Sequence, residues 1–507
     1  MDHKHFLLKI LTLSGVPKII TFGLTIISFP ILIRSIGAAE YGEVLMVGAA
    51  LGIFEMLMNF GVASAAGKAM ANNRAYNPKV VFKQFLFWAQ LQFFTAAIGF
   101  VPMVFAANFL LNGNNTLSSG SELLYVMSFT VVTQLAANFI RANLQSLLAF
   151  KSLAILDTIE SVLRSAGYLI VACYFATPMG FALMMLGLSV VVSGLAGVMI
   201  SQRLTCNLNE KCNLNLCDGT TPSLNIVKPK LMDCINFFWL GLSTRIFHQG
   251  PLLLIGRMMG SEVVGIIGAF SRITEILSTP YLIIGNALMV QVNAISQRGL
   301  DALETLWDAA LRIATTSILL SAVIYLAAEP LAHILLPENK QAEEFFSTMA
   351  WLIAPVSIMC IFAPISDYMG GLISRNILLT TIACLQLPIL WLGTFSLESN
   401  SIILAYVSIY YILALAYILI AAKVIFTKYT IRIQAGTKLY LAIVFLALFT
   451  VTQLEKTTLV SILFLHENYF NVYIEIALFL SIVITGIWLN SNTRKMYLNK
   501  NFFEIYS

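Results

Sequence analysis

Charged and polar side chains recur at helical spacing inside long apolar stretches of this sequence. A spacing of i, i+4, i+7 and i+11 places residues on one face of an α-helix. An ionisable residue at the centre of a membrane helix costs about 2.5–3.5 kcal/mol, so such a face contacts other helices or water. The polar faces consist of Ser14, Lys18, Thr21 and Thr25; Gly48, Gly52, Glu55 and Asn59; Gln134, Asn138, Arg141 and Gln145; Asp157, Ser161, Arg164 and Tyr168; Gly241, Arg245 and His248; and Gly268, Arg272, Glu275 and Thr279.

Basic residues dominate these faces, and their surplus indicates an anion-binding cleft. The basic set is Lys18, Arg141, Arg164, Arg245 and Arg272, with His248 beside them. Glu55 and Glu275 are too few to neutralise this set, and an unpaired cation in a low-dielectric setting requires water or an anion. We therefore expect a water-filled cleft that binds an anionic ligand, with Asn138 and Gln145 meeting its polar groups. Glu55 and Glu275 are candidates for binding a coupling cation.

The alternative is that these side chains hold helices together, as small and polar residues do in membranes. Glu275 would then pair with Arg272 or Arg245. No catalytic residue, metal site or cofactor is expected. The sequence has no H-E-x-x-H, G-x-S-x-G or P-loop motif, and its cysteines form no C-x-x-C pair.

The composition places these faces in a membrane. Of 507 residues, 59% are hydrophobic and 11% are charged, with a net charge of +5. The mean hydropathy is +0.84, whereas a typical soluble domain has about 25% charged residues. These values exclude a soluble enzyme with a membrane anchor, a nucleic-acid binder and a disordered protein.

Apolar runs of bilayer-spanning length predict an all-α polytopic membrane protein with about fourteen transmembrane helices. The expected spans are 10–33, 43–66, 81–106, 122–148, 154–175, 180–200, 234–256, 261–285, 308–328, 345–369, 376–395, 401–422, 438–454 and 470–489. Basic residues concentrate in alternate loops, such as Lys68–Lys83 and Lys211–Lys230, whereas Asn108–Ser121 has none. This distribution predicts that both termini are cytoplasmic.

A short internal repeat predicts two lobes. Gly48–Leu57 and Gly268–Leu277 share Gly, Ala, Ile, Glu and Leu at a constant offset, and Arg34–Gly37 resembles Arg257–Gly260. The repeats belong to spans one and two and to spans seven and eight, so they indicate parallel repeats related by an axis along the membrane normal. The expected domains are an N-lobe (1–201), a cytoplasmic linker (202–233), a C-lobe (234–424) and two extra spans with a tail (425–507).

The opening motif carries a resemblance to a known family. This motif resembles the start of the bacterial polysaccharide biosynthesis flippases. It reads Phe29-Pro30-Ile-Leu-Ile-Arg34-Ser-Ile-Gly37-Ala-Ala-Glu40-Tyr41-Gly42 and is followed by Phe60-Gly61-Val-Ala-Ser. These flippases are O-antigen repeat-unit exporters of the multidrug/oligosaccharidyl-lipid/polysaccharide superfamily. The resemblance implies two six-helix lobes around a central cationic cavity, with two C-terminal helices added. It points to the basic set named above as the residues that bind substrate.

The resemblance also implies the substrate and the setting. The expected substrate is an undecaprenyl-pyrophosphate-linked oligosaccharide of lipopolysaccharide assembly, moved from the inner to the outer leaflet of the bacterial cytoplasmic (inner) membrane. The implied partners are this lipid, the bilayer and other polysaccharide assembly proteins, without nucleic acid. The resemblance implies a transporter without enzymatic activity.

Two other functions compete with this interpretation. A cation-coupled multidrug exporter of the same superfamily would favour acids in its cavity, whereas this sequence favours bases. A membrane-embedded glycan polymerase or glycosyltransferase usually needs a sizeable aqueous loop with acid, base or metal-binding residues. Here the longest loop, Gln202–Asp233, has no paired carboxylates.

Overall fold

The computed structural model describes residues 20–21, 23–73, 78–111, 120–147, 149–212, 231–296, 300–337, 339–366, 372–396 and 399–428. Within these residues the chain forms helices joined by turns, without a strand. The helices are α1 (Gly23–Ile36), α2 (Ala38–Asn59), α3 (Val62–Asn73), α4 (Pro78–Leu111), α5 (Gly120–Ser146), α6 (Phe150–Tyr174), α7 (Pro178–Cys212), α8 (Leu231–Met259), α9 (Ser261–Ser296), α10 (Leu300–Leu326), α11 (Ala328–Leu335), α12 (Lys340–Ala350), α13 (Ile353–Ser366), α14 (Leu372–Ser396) and α15 (Ser399–Lys428).

The helices confirm a polytopic membrane protein. Among the described residues, eight helical segments are long and apolar enough to cross a bilayer, and one of them, Gln341–Ile365, consists of α12 and α13 together. Three more, α6, α8 and α9, have 25, 29 and 36 residues and carry most of the charged positions of the polar faces. At about 1.5 Å per residue, each of these also exceeds the hydrocarbon thickness. Each of the first twelve predicted spans overlaps a described helix, whereas predicted spans 438–454 and 470–489 and residue Lys18 lie outside the described residues.

Two predicted spans and the linker differ from the structure. Span 43–66 is broken at Phe60 and Gly61, which have φ angles of 44° and 71°. Span 345–369 is divided into α12 and α13 by a turn at Trp351. Hydropathy detects neither break, because the residues at both turns are as apolar as their neighbours. The helix α7 also extends to Cys212, well into the predicted linker.

The break in the described residues between Cys212 and Leu231 divides the helices into two consecutive sets. We call α1–α7 the first helix group and α8–α15 the second; the main contacts between them join α2 to α8 and α9 and α3 to α8. The helices α2 and α9 cross with their backbones in contact. A Cβ atom on Gly42 would lie 1.8 Å from the Ser261 carbonyl oxygen, and one on Gly265 would lie 1.8 Å from the Ala38 carbonyl oxygen. The two helices that carry Gly48–Leu57 and Gly268–Leu277 therefore pack directly against each other.

Polar contacts join the groups near both ends of the α2–α3 segment. At one end, Arg34 donates from Nε to the Ile334 carbonyl oxygen at 2.6 Å and from Nη2 to the His333 carbonyl oxygen at 3.3 Å, in the last turn of α11. At the other end, Lys68 Nζ on α3 lies 2.9 Å from Asp233 Oδ1 on α8. A cation at a helix C-terminus is favourable because the last carbonyl groups have no partner within the helix.

Candidate functional site

A charge cluster of four residues joins α5 to α6 within the first helix group. It consists of Arg141, Asp157, Glu160 and Arg164, and Glu160 is the central residue. Glu160 Oε2 accepts from Arg141 Nη2, and Glu160 Oε1 accepts from Arg164 Nη2. Arg141 Nε lies 3.6 Å from Asp157 Oδ1. The three α6 members share one face because they are spaced three and four residues apart.

A second ion pair crosses between the two helix groups. Arg245 on α8 donates from Nη2 to Glu55 Oε2 on α2 at 2.6 Å. The Glu55 side chain is 9% exposed and that of Arg245 is 34% exposed, so the carboxylate is buried and the guanidinium partly accessible. One turn earlier on α2, a Cβ atom on Gly52 would lie 2.4 Å from the amide of Gln249, which shows how closely α8 approaches.

A third polar group also crosses between the helix groups, from α9 to α6. Arg272 pairs with Glu275 on its own helix at 2.5 Å and donates from Nη2 to the Tyr168 hydroxyl at 3.3 Å. The Tyr168 ring stacks on Phe181 with centroids 6.0 Å apart, which fixes the hydroxyl. Glu275 is 63% exposed although it lies near the middle of its predicted span, so the protein itself leaves this carboxylate largely uncovered.

The remaining predicted site residues occupy different surroundings. His248 Nδ1 lies 2.9 Å from the Tyr410 hydroxyl, which in turn lies 3.1 Å from the Tyr406 hydroxyl. This histidine therefore joins α8 to α15 inside the second helix group. Asn138 and Gln145 are exposed on the same face of α5 as Arg141.

The expected surplus of unpaired cations is wrong for the described arginines. Arg141, Arg164, Arg245 and Arg272 each contact a carboxylate. Sequence reasoning missed Glu160, because it followed the spacing from Asp157 to Ser161 and skipped the position three residues after Asp157. Burial of an arginine is costly without a partner, and the folded chain supplies that partner from a neighbouring turn or helix. Glu275 pairs with Arg272, as the helix-packing alternative anticipated.

Comparison with known sequences gives one family match. A family model described as "Polysaccharide biosynthesis protein" matches residues 7–298, which is more than half of the chain. These residues include every polar face described above. A search of curated proteins gave no match.

The fold resembles solved transporter structures. A lipid II flippase MurJ in an inward closed conformation has 12% identity and a TM-score of 0.60, covering 97% of this chain and 100% of its own. A MATE protein in complex with MaD3S has 15% identity and a TM-score of 0.60, with coverages of 83% and 96%. An outward-facing multidrug resistance MATE family transporter of the MOP superfamily has 15% identity and a TM-score of 0.58, with the same coverages. At these identities the similarity establishes the fold.

Proposed function

The chain belongs to the polysaccharide biosynthesis protein family, and from this premise we propose that it is a flippase for lipid-linked oligosaccharides. It moves O-antigen-like repeat units, carried on undecaprenyl pyrophosphate, from the inner to the outer leaflet of the bacterial cytoplasmic membrane. Both termini are cytoplasmic in this proposal. The family match is the observation that carries it, because the match includes the polar faces of both helix groups.

The polar faces offer the chemistry that such a substrate needs. A pyrophosphate with attached sugars does not cross hydrocarbon unaided, since transfer of an ion costs of order 20 kcal/mol in the idealised Born limit. Arginine offers a fork of donors that matches phosphate oxygens. We assign the pyrophosphate to Arg141, Arg164, Arg245 and Arg272, with His248 and Lys18 as further members of the basic set. The exposed amides of Asn138 and Gln145 meet sugar hydroxyl groups.

Alternating access in this proposal is a rocking of the two helix groups as lobes, with the linker 202–233 between them. The contacts Glu55–Arg245, Arg272–Tyr168 and Lys68–Asp233 cross between the groups, so they break and form again during the cycle. A membrane potential negative inside favours outward movement of an anion by about 2.3 kcal/mol per charge per 100 mV. Glu55 and Glu275 are the carboxylates available to a coupling proton or sodium ion.

A cation-coupled multidrug exporter is the second candidate, and one observation favours it. The described arginines of the polar faces are balanced by Glu55, Asp157, Glu160 and Glu275, so the surplus of base that argued against a cationic substrate is reduced. The exposed carboxylate of Glu275 would be the natural contact for a cationic drug.

A deletion strain separates the two candidates. For a flippase, deletion should abolish surface glycan and leave lipid-linked repeat units on the inner leaflet, and the wild-type gene should restore the glycan. Arg245→Gln should fail to restore it while remaining in the membrane, whereas the control Lys151→Gln, an exposed residue at the start of α6, should restore it fully. Unchanged glycan in the deletion strain, together with increased sensitivity to cationic drugs, would favour the exporter.

A further inference from the structure

We propose that Glu160 is a built-in counter-ion that occupies a two-arginine phosphate clamp, formed by Arg141 and Arg164, until an anionic ligand displaces it. The inference rests on the proposed function, which supplies a pyrophosphate ligand, and it adds a means of release at that site. The ligand class is a phosphate or pyrophosphate group.

The contacts of Glu160 imitate a bridging phosphate. The two oxygens of its carboxylate are divided between the arginines, with Oε2 accepting from Arg141 and Oε1 from Arg164. A phosphate group presents two or more anionic oxygens in a similar arrangement and binds guanidinium groups through parallel, charge-assisted hydrogen bonds. The carboxylate therefore brings one Nη2 donor from each arginine to a single anionic group, as a bridging phosphate would.

The clamp has donors that Glu160 leaves unused. Arg141 Nε and Arg164 Nε are buried and make no hydrogen bond to any described residue. Asp157 Oδ1, at 3.6 Å from Arg141 Nε, is too distant for one. A ligand with more oxygens and a higher charge than a carboxylate would satisfy these donors, which makes displacement of Glu160 favourable. The arginine side chains are 25% and 24% exposed, so the protein does not fully enclose either guanidinium group.

The clamp belongs to one helix group. Arg141 lies on α5 and both Glu160 and Arg164 lie on α6, which follows α5 after a short turn and packs against it. A rocking of the two groups would break Glu55–Arg245 but would leave the clamp intact. The same residues can therefore hold the anion both when the cavity opens inward and when it opens outward. The return of the Glu160 carboxylate to the two arginines then competes with the anion and releases it.

The test is binding of inorganic pyrophosphate to the purified full-length protein, measured by calorimetry. Glu160→Gln removes the competing charge and keeps the shape, so it should raise the affinity by at least about tenfold. Adding Arg141→Gln and Arg164→Gln to this variant should abolish the gain. The control is Glu122→Gln, which removes an exposed carboxylate at the start of α5, outside the polar faces, and should change the affinity by less than about twofold.

Two results would overturn the inference: an unchanged affinity in Glu160→Gln, or a gain that persists after both arginines are replaced. If Glu160→Gln does not fold, Glu160→Asp serves instead, because its shorter side chain cannot reach both arginines and should give a smaller gain in affinity. Failure of the proposed function is distinguishable. If surface glycan does not depend on the gene, the flippase proposal is wrong. The pyrophosphate affinities of the variants would still test whether Glu160 competes with an anion for Arg141 and Arg164.

Discussion

Arg245 on α8 and Glu55 on α2 form an ion pair, 2.6 Å long, across the contact between the two helix groups. The pair lies between the glycine crossing of α2 with α9 and the Lys68–Asp233 contact. Its carboxylate is buried, so removing the arginine leaves a buried charge without its counter-ion.

A double-mutant cycle measures this pair. Arg245→Gln and Glu55→Gln should each lower the thermal unfolding temperature in detergent, with Arg245→Gln the more severe because the buried carboxylate remains. The double variant should recover part of the loss, giving a coupling energy of about 1 kcal/mol or more. Additive effects in the cycle would show that the two side chains do not stabilise each other.

The glycine crossing of α2 and α9 should not tolerate a methyl group. In Gly42→Ala and Gly265→Ala, the new Cβ atom would lie 1.8 Å from a backbone carbonyl oxygen. No side-chain rotation relieves this overlap, so the helices must separate, at a cost of about 1–3 kcal/mol or more. The measurement is folded yield and thermal unfolding of the purified variants.

The controls for this prediction are Gly187→Ala and Gly194→Ala on α7, where a Cβ atom meets nothing within 4 Å. Both should unfold at or above the wild-type temperature, because alanine favours a helix over glycine by about 0.5–1 kcal/mol. Equal destabilisation in all four variants would contradict the proposed importance of the crossing.

Two glycines at helix boundaries adopt backbone angles that disfavour other residues. Gly37, just before α2, has φ 90° and ψ 156°, a region almost confined to glycine, and Gly61, between α2 and α3, has φ 71°. At Gly61 a new Cβ atom would also lie 2.3 Å from the Cys234 carbonyl oxygen. Gly37→Ala and Gly61→Ala should each lower the free energy of unfolding by about 1–3 kcal/mol or more, and a wild-type unfolding temperature in either variant would refute this account.

The contact between Arg272 and Tyr168 is tested by removing one hydroxyl group. Tyr168→Phe preserves the stacking on Phe181 but removes the acceptor that links α9 to α6. We expect an unfolding free energy within about 1 kcal/mol of the wild type, with reduced surface glycan in cells. The matched control is Tyr125→Phe, an exposed tyrosine on α5, and equal glycan levels in the two variants would argue against a role in transport.

The sequence predicts the helices more completely than it predicts their contacts. The first twelve spans are recognisable because long, mainly apolar runs predict membrane helices, even where α6, α8 and α9 carry charged residues. The break at Phe60 and Gly61 is not, since hydropathy contains no information on backbone angles. The repeat pointed to α2 and α9 as equivalent elements, but not to the glycine crossing that brings them together.

The polar faces were predicted by position and not by pairing. Arg141, Arg164, Arg245 and Arg272 were all identified from helical spacing. Which carboxylate each one contacts depends on how α5 meets α6 and how α2 meets α8, and this is a property of the tertiary structure. Glu160 was accessible to the same reasoning, because a spacing of three residues also keeps side chains on one helical face.

The crossing of α2 and α9 at Gly42 and Gly265 lies near one end of α2, so a rotation about it moves the far end of α2 much more than the near end. Asn59, at the far end of α2, lies seventeen residues from Gly42, or about 25 Å along the helix. A rotation of about 10° about the crossing displaces that end by about 4 Å while the glycines barely move. The Lys68–Asp233 ion pair lies just beyond this end, and its 2.9 Å distance between Nζ and Oδ1 would not survive such a displacement. A tilt small enough to preserve the Gly42 and Gly265 contacts would thus separate the two helix groups at the Lys68–Asp233 end.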